Sequence, residues 1–210
     1  MVYTERMNSK ASSSVPIILL AAGASSRMRG RDKLLEDIDG VPLLRRQAAR
    51  AVDATLGPVI VTLPPKPNPR WEVLAELNVT RIAVPDAALG MSVSLRRGLA
   101  QVSENADAVM VLLADLPELT TDDLITVLGR VTSASDALIW RGTTSDGAPG
   151  HPIVFSRSLF AELASITGDT GGATVVARHL DQTAFIRLPG IRARLDLDTP
   201  EDWAAWRAPG

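Results

Sequence analysis

Pro16-Ile17-Ile18-Leu19-Leu20-Ala21-Ala22-Gly23-Ala24-Ser25-Ser26-Arg27-Met28-Arg29-Gly30-Arg31-Asp32-Lys33-Leu34-Leu35 begins as an unbroken apolar run and ends in cations. The apolar half suits a strand buried on both faces of a parallel sheet. The small residues from Gly23 to Ser26 let the backbone approach a ligand and expose its N–H groups. Arg27, Arg29, Arg31 and Lys33 follow within seven residues, the charge that a polyphosphate requires. The stretch therefore outlines a triphosphate-binding loop after a strand. It fits neither common pattern: it has no G-x-G-x-x-G, and Lys33 does not directly follow a glycine. A strand leading into a solvated basic turn is the plainer alternative.

Outward from this loop, apolar strands alternate with helical patterns. Leu44, Ala48, Ala51 and Val52 recur at helical spacing after Pro42, with Arg45, Arg46 and Arg50 on the other face. Pro58–Leu63 reads as a second buried strand and the proline-rich 64–69 as a loop at its carboxyl end. A short helix from Trp71 to Leu77 and a strand over 81–84 are expected next. Asp107–Ala114 is the strongest strand signal, followed by a helix over 122–131 and a strand over 136–140. Residues 142–150 read as a turn-rich loop. Such alternation predicts an α/β fold with a mainly parallel sheet, whose ligands bind beyond the carboxyl ends of its strands.

Bulk composition narrows the chemistry. The 210 residues, 46% hydrophobic and 22% charged, fit one globular domain. Net charge is −2, so there is no global field favouring nucleic acid or an acidic membrane. There is no cysteine, which excludes disulfides and thiol catalysis, and with only His151 and His179 a zinc site is not expected. No run approaches the ~18 apolar residues of a membrane span. Residues 1–15 read as a disordered polar arm ahead of a single domain over 16–210, and the chain as a cytoplasmic monomer or weak dimer.

Leu20-Ala21-Ala22-Gly23-x-Ser25-x-Arg27-Met28 with Gly30-x-x-Lys33-Leu34-Leu35 resembles the signature loop of the MobA-like nucleotidyltransferases, which include the molybdenum cofactor cytidylyl- and guanylyltransferases. Arg29 stands where the family pattern has glycine directly after Arg-Met, so the loop is one residue longer. Further motifs resemble the family in order. They are Gly90-Met91-Ser92-x-Ser94-Leu95, Asp115-x-Pro117, Gly150-His151-Pro152-x-x-Phe155, Gly168-Asp169 and Asp196-x-Asp198-Thr199-Pro200-Glu201-Asp202. The resemblance spans about 16–206 and implies a Rossmann-like three-layer α/β/α sandwich of the nucleotide-diphospho-sugar transferase type. It implies a nucleotide-binding part over about 16–120 and an acceptor-side part over about 121–206.

The resemblance also assigns roles. Leu20, Ala21, Ala22, Gly23, Ser25, Ser26, Arg27, Lys33, Gly90 and Ser94 would contact the nucleotide, with Arg27, Lys33 and Asp115 catalytic. Asp115 and Asp198, with Asp196 in reserve, would hold Mg²⁺, and His151 and Asp169 would face the acceptor. The residues themselves give plainer readings for several of these. Ser92 can cap a helix, His151 can be structural beside its proline, and Asp169 can cap the helix through Val175 and Val176. Asp115 is different, because Thr120 and Thr121 already supply the next cap and a carboxylate ending a buried strand needs a cation. Arg194–Asp198 alternates like a strand, placing Asp196 and Asp198 on one face, ahead of a helix capped by Thr199.

In Gly168-Asp169-Thr170-Gly171-Gly172-Ala173 the family's closing arginine is replaced by Ala173, which leaves Arg178 or Arg141 to substitute. Ala22 stands where the guanylyl branch tends to have glycine, so the smaller cytosine is expected. The implied reaction transfers CMP from CTP, or another nucleoside triphosphate, to the phosphate of molybdenum-bearing molybdopterin. A molybdoenzyme would receive the product. A sugar or polyol phosphate acceptor, and a non-catalytic molybdopterin-handling chaperone, stay open.

Overall fold

The computed structural model of the chain describes residues 13–131 and 136–208. In chain order the elements are β1 Ile17–Leu20, β2 Asp37–Ile38, β3 Val41–Pro42, α1 Leu43–Ala54, β4 Val59–Leu63, β5 Thr80–Ala83, α2 Met91–Leu99, β6 Ala108–Leu113, α3 Thr121–Leu128, β7 Ile139–Thr143, β8 Pro149–Ser156, α4 Phe160–Ser165, α5 Ala173–Arg178, β9 Thr183–Arg187 and α6 Pro200–Arg207.

Seven strands form one sheet in the order β5-β4-β1-β6-β8-β7-β9. Only β8 runs against the others, so the sheet is mainly parallel. The apolar run of β1 explains its central place. Ile17 and Leu19 enter a core with α1, α3 and Trp203 of α6, while Ile18 and Leu20 enter a second core with α2, α4 and α5. A strand that must bury both faces takes the middle of three layers. The loop that follows β1 therefore lies at the carboxyl edge, between the ends of β4 and β6.

Several local expectations are corrected. No helix spans 71–77: a 3-10 turn at Pro69–Trp71 runs into turns, and Glu76 takes a left-handed φ of 67° that helical propagation does not allow. Helix α3 ends at Leu128 with Gly129 following. The strand expected over 136–140 starts only at Ile139 and runs on to Thr143, so the turn-rich loop shrinks to 144–148. The strand expected over 194–198 does not form: Arg194 lies in a turn and 195–198 belong to no regular element. Of the expected N-terminal arm, residues 1–12 lie outside the described residues. Ser13 and Val15 are anchored, their carbonyls accepting from Leu56 N at 2.8 Å and Thr55 Oγ1 at 2.7 Å. Thr199 caps α6 in a reciprocal pair with Asp202, as its sequence implies.

Gly150 explains how the C-terminal segment reaches the sheet. The Ala193 carbonyl accepts from His151 N at 2.8 Å, and any Cβ on Gly150 would overlap that carbonyl. Glycine is therefore required by close backbone approach. We expect Gly150→Ala to destabilise the fold by at least about 2 kcal/mol in urea denaturation, because backbone cannot yield as a side chain can. An unchanged urea midpoint would contradict this packing.

Candidate functional site

Beyond the carboxyl ends of β1 and β6 lies a cavity of about 430 Å³. Leu20, Ala21, Ala22, Gly23, Ser25, Ser26, Arg27 and Lys33 line it from the loop. Gly90 and Ser94 line it from α2, Asp115 from the end of β6, and Asp169, Asp196 and Asp198 from the C-terminal third. These residues span 179 positions of chain, yet one cavity gathers them. His151 is the exception and does not line it.

The centre is a knot of charge. The Lys33 ammonium donates to Asp115 Oδ2 at 2.5 Å and Asp198 Oδ1 at 2.7 Å. Arg27 Nη2 lies 2.7 Å from Asp198 Oδ2. The two carboxylates meeting at one ammonium approach to no more than about 5 Å, where their bare repulsion is about 3 kcal/mol at a surface-like dielectric. Lys33 cancels it. Burial pushes the Lys33 pKa down, but Asp115 and Asp198 outweigh that and raise it. Burial also pushes Asp198 up, but the Lys33 hydrogen bond and charge, with Arg27, hold it below the usual carboxylate range. Asp196 is raised, by burial and then by the charge of Asp198 beside it. The ion pairs thus persist across the neutral range.

Two observations bear on ligands. Asp115 Oδ1 is buried with no hydrogen-bond partner among the described residues, so half of this carboxylate awaits a donor or cation. Gly23 has nothing within 4 Å of where a Cβ would stand, so the protein's own packing leaves that space open beside the loop's backbone. Carboxylate oxygens suit a hard divalent cation, and Mg²⁺ takes one or two of them together with phosphate oxygens. Asp115, Asp198 and the neighbouring Asp196 fit that requirement, although the described residues contain no group of three or more ligating side chains placed to enclose an ion unaided.

Helix α2 brings its N-terminus to the same cavity. Gly90 precedes it with φ 115°, and a Cβ there would strike Asp169 Oδ1 and the Gly168 carbonyl, so glycine lets segment 168–169 close over the helix start. Ser92 is not the cap: its N donates to Gly168 O at 3.2 Å, and its buried Oγ has no partner. Asp169 does not cap a helix either, since α5 begins after Gly172. The expected stand-ins for the missing family arginine are engaged elsewhere. Arg178 pairs with Glu162 at 2.8 Å and Arg141 Nε donates to Gly150 O at 2.9 Å.

Burial sets the protonation state of His151. Its pKa falls to about 4, first through burial and then through the Arg141 guanidinium, with the Val111 backbone and Asp115 pulling weakly the other way. It is neutral at pH 7, and its buried Nδ1 has no hydrogen-bond partner among the described residues.

The sequence reading passed over Asp32 and Arg70. Arg70, 2% exposed, forks onto Asp32 with Nε to Oδ2 and Nη2 to Oδ1, both 2.7 Å. Its Nη1 donates to Ala21 O at 2.6 Å and its Nη2 to Ser25 Oγ at 3.1 Å. The available signal was Asn68-Pro69 opening a turn in a loop at a strand's carboxyl end, directly before an arginine.

A family model described as MobA-like NTP transferase domain matches residues 17–183. A probable molybdenum cofactor guanylyltransferase of Trichormus variabilis is 35% identical over 191 residues, covering 89% of this chain and 87% of that protein. The purine catabolism protein PucB of Bacillus subtilis is 27% identical over 201 residues, covering 89% and 92%. Among solved structures, Rv0371c of Mycobacterium tuberculosis superposes with a TM-score of 0.80 at 26% identity, covering 92% of this chain and 98% of that one. A manganese complex of the same protein gives 0.75, with 92% and 97% covered.

His151 carries a pH signature. The unfolded histidine protonates near 6.5 and the folded one only near 4, so between these values the unfolded state binds more protons. Stability therefore falls as pH drops from 6.5 to about 4, by at most about 3 kcal/mol, less because the residue keeps some exposure. We expect His151→Gln to flatten the pH dependence of the urea midpoint in this window. An unchanged slope would refute the assignment.

Proposed function

The chain belongs to the MobA-like NTP transferase family, and we propose that it transfers CMP from CTP to the phosphate of molybdenum-bearing molybdopterin in the cytoplasm, with Mg²⁺. The carrying observation is the convergence of Asp115, Asp198, Lys33 and Arg27 on one cavity beside the open space at Gly23. Residues up to about 120 serve the nucleotide, and the later part brings the acceptor side and Asp198.

The loop from Gly23 to Lys33 cradles the triphosphate. An acceptor phosphate oxygen attacks the α-phosphorus, the new P–O bond forms, the α–β bond breaks, and pyrophosphate leaves. Mg²⁺, when bound, supplies charge neutralisation at the phosphates, and Asp115 and Asp198 are the residues to hold it, with Asp196 beside them. Arg27 and Lys33 stabilise negative charge gathering on the leaving group, and positioning does the remaining work. The acceptor phosphate is ionised at neutral pH, so no general base is needed. Asp169 is exposed and lines the cavity, which supports a role facing the acceptor.

Base choice rests on Ala22, which lines the cavity, is 5% exposed and packs with Val84 and Val93, so a methyl stands there where glycine would leave room. This supports the pyrimidine. The second reading is GTP, favoured by the name of the 35%-identical relative. A pyrophosphate-release panel of triphosphates with molybdenum-loaded molybdopterin is the test. We expect CTP to exceed GTP and Ala22→Gly to narrow the gap. Higher turnover with GTP would overturn the cytosine assignment, and turnover only with a sugar or polyol phosphate would overturn the acceptor.

Lys33→Ala should lower turnover by about a hundredfold to a thousandfold. Its thermal midpoint should shift only by about a few degrees, since these ion pairs are partly solvated. Turnover near the wild-type value would remove Lys33 from the mechanism.

A further inference from the structure

The loop proposed to cradle the triphosphate is not self-supporting. Ser25 and Arg29 both adopt left-handed backbone, with φ 51° and 52°, a conformation that side chains with a Cβ resist. Its internal backbone hydrogen bonds among the described residues include only single-turn closures: Met28 N to Ser25 O, Arg31 N to Met28 O, Leu35 N to Asp32 O and Glu36 N to Lys33 O. Such a conformation persists only where surrounding structure over-determines it.

We infer that Arg70 is a positioning residue that holds this loop and, through Asp32, sets where Lys33 stands; the inference rests on the nucleotidyltransferase reading. Arg70 grips the loop at three points: Ala21 O at its start, Ser25 Oγ at the first left-handed residue, and both oxygens of Asp32 near its end. The Asp32 carboxylate passes the constraint on. Its Oδ1 also accepts from Ser25 Oγ at 3.2 Å and from Leu34 N at 3.0 Å, capping the turn Lys33–Leu35 whose first residue carries the ammonium. Two sets of charge-assisted contacts, Arg70 on Asp32 and Lys33 on Asp115 and Asp198, are therefore joined at the sheet edge through the adjacent residues 32 and 33 and the capped turn they open. The planar guanidinium is needed because five donors in a fixed fork serve diverging acceptors, which a single ammonium cannot do. Arg70 does not line the cavity that holds Lys33 and Asp115; it lines a neighbouring cavity of about 400 Å³ behind the same loop, beside Ser25 and Asp32.

The test uses the full chain with Arg70→Lys, Arg70→Met and Asp32→Asn. Nucleotide-free hydrogen exchange is read at Met28, Arg31, Leu34 and Leu35, with β1 and β6 as internal reference, and pyrophosphate release gives KM and kcat. In both Arg70 variants these loop amides should exchange at least tenfold faster while β1 and β6 stay protected. The kcat/KM for CTP should fall at least tenfold with the acceptor KM unchanged. Arg70→Lys should fail to rescue, and Asp32→Asn should show an intermediate loss. Wild-type behaviour of Arg70→Lys, or equal loss of protection in β1 and β6, would overturn the inference. Should the wild-type chain release no pyrophosphate from any triphosphate, the proposed function falls, and the exchange readout still decides the role of Arg70 in the loop.

Discussion

A carboxylate at the end of a buried parallel strand must find a cation, and this constraint organises the molecule. Asp115 ends β6 in the centre of the sheet, and Lys33 reaches it from the loop after β1. Lys33 also gathers Asp198, 165 residues further along the chain. Three segments that share no secondary structure are thus tied by one ammonium. Without it, the two acidic side chains would face each other across a partly solvated gap, at a repulsion of about 3 kcal/mol before water and neighbouring arginines screen it.

Around this knot, backbone contacts set the placement. The open space at Gly23, the close approach of Gly90 to the 168–169 segment and that of Gly150 to Ala193 each place a different wall of the cavity. The C-terminal acidic segment needs no strand ladder, because the Ala193 carbonyl docks on β8 upstream and the capped start of α6 fixes it downstream. Asp196 and Asp198 therefore both line the cavity from a segment that joins no strand of the sheet.

Much of this was legible in the residues. Continuous apolar runs announced buried strands, because a strand covered on both faces tolerates no polar residue. Thr199-Pro200-Glu201-Asp202 announced a helix start, because its capping bonds are local. Where local pattern and packing disagreed, packing prevailed. The 71–77 stretch carries helix-compatible residues, yet Arg70 at its start is pinned into the loop and Glu76 turns left-handed, so no helix forms.

The sequence by itself determined the α/β class, the central place of β1, the position of the glycine-opened loop at the sheet's carboxyl edge, and the resemblance that the family match bears out. These follow from periodicity, local capping and motif order, which are properties of neighbouring residues. Tertiary structure alone decided that His151 is a half-buried, neutral ring outside the lining of the cavity, that Arg178 and Arg141 are spent elsewhere, and that Arg70 clasps Asp32. Each of those depends on which distant groups share a low-dielectric space, and the strength of a charge pair is set by that proximity and by burial, neither of which is written in local spacing.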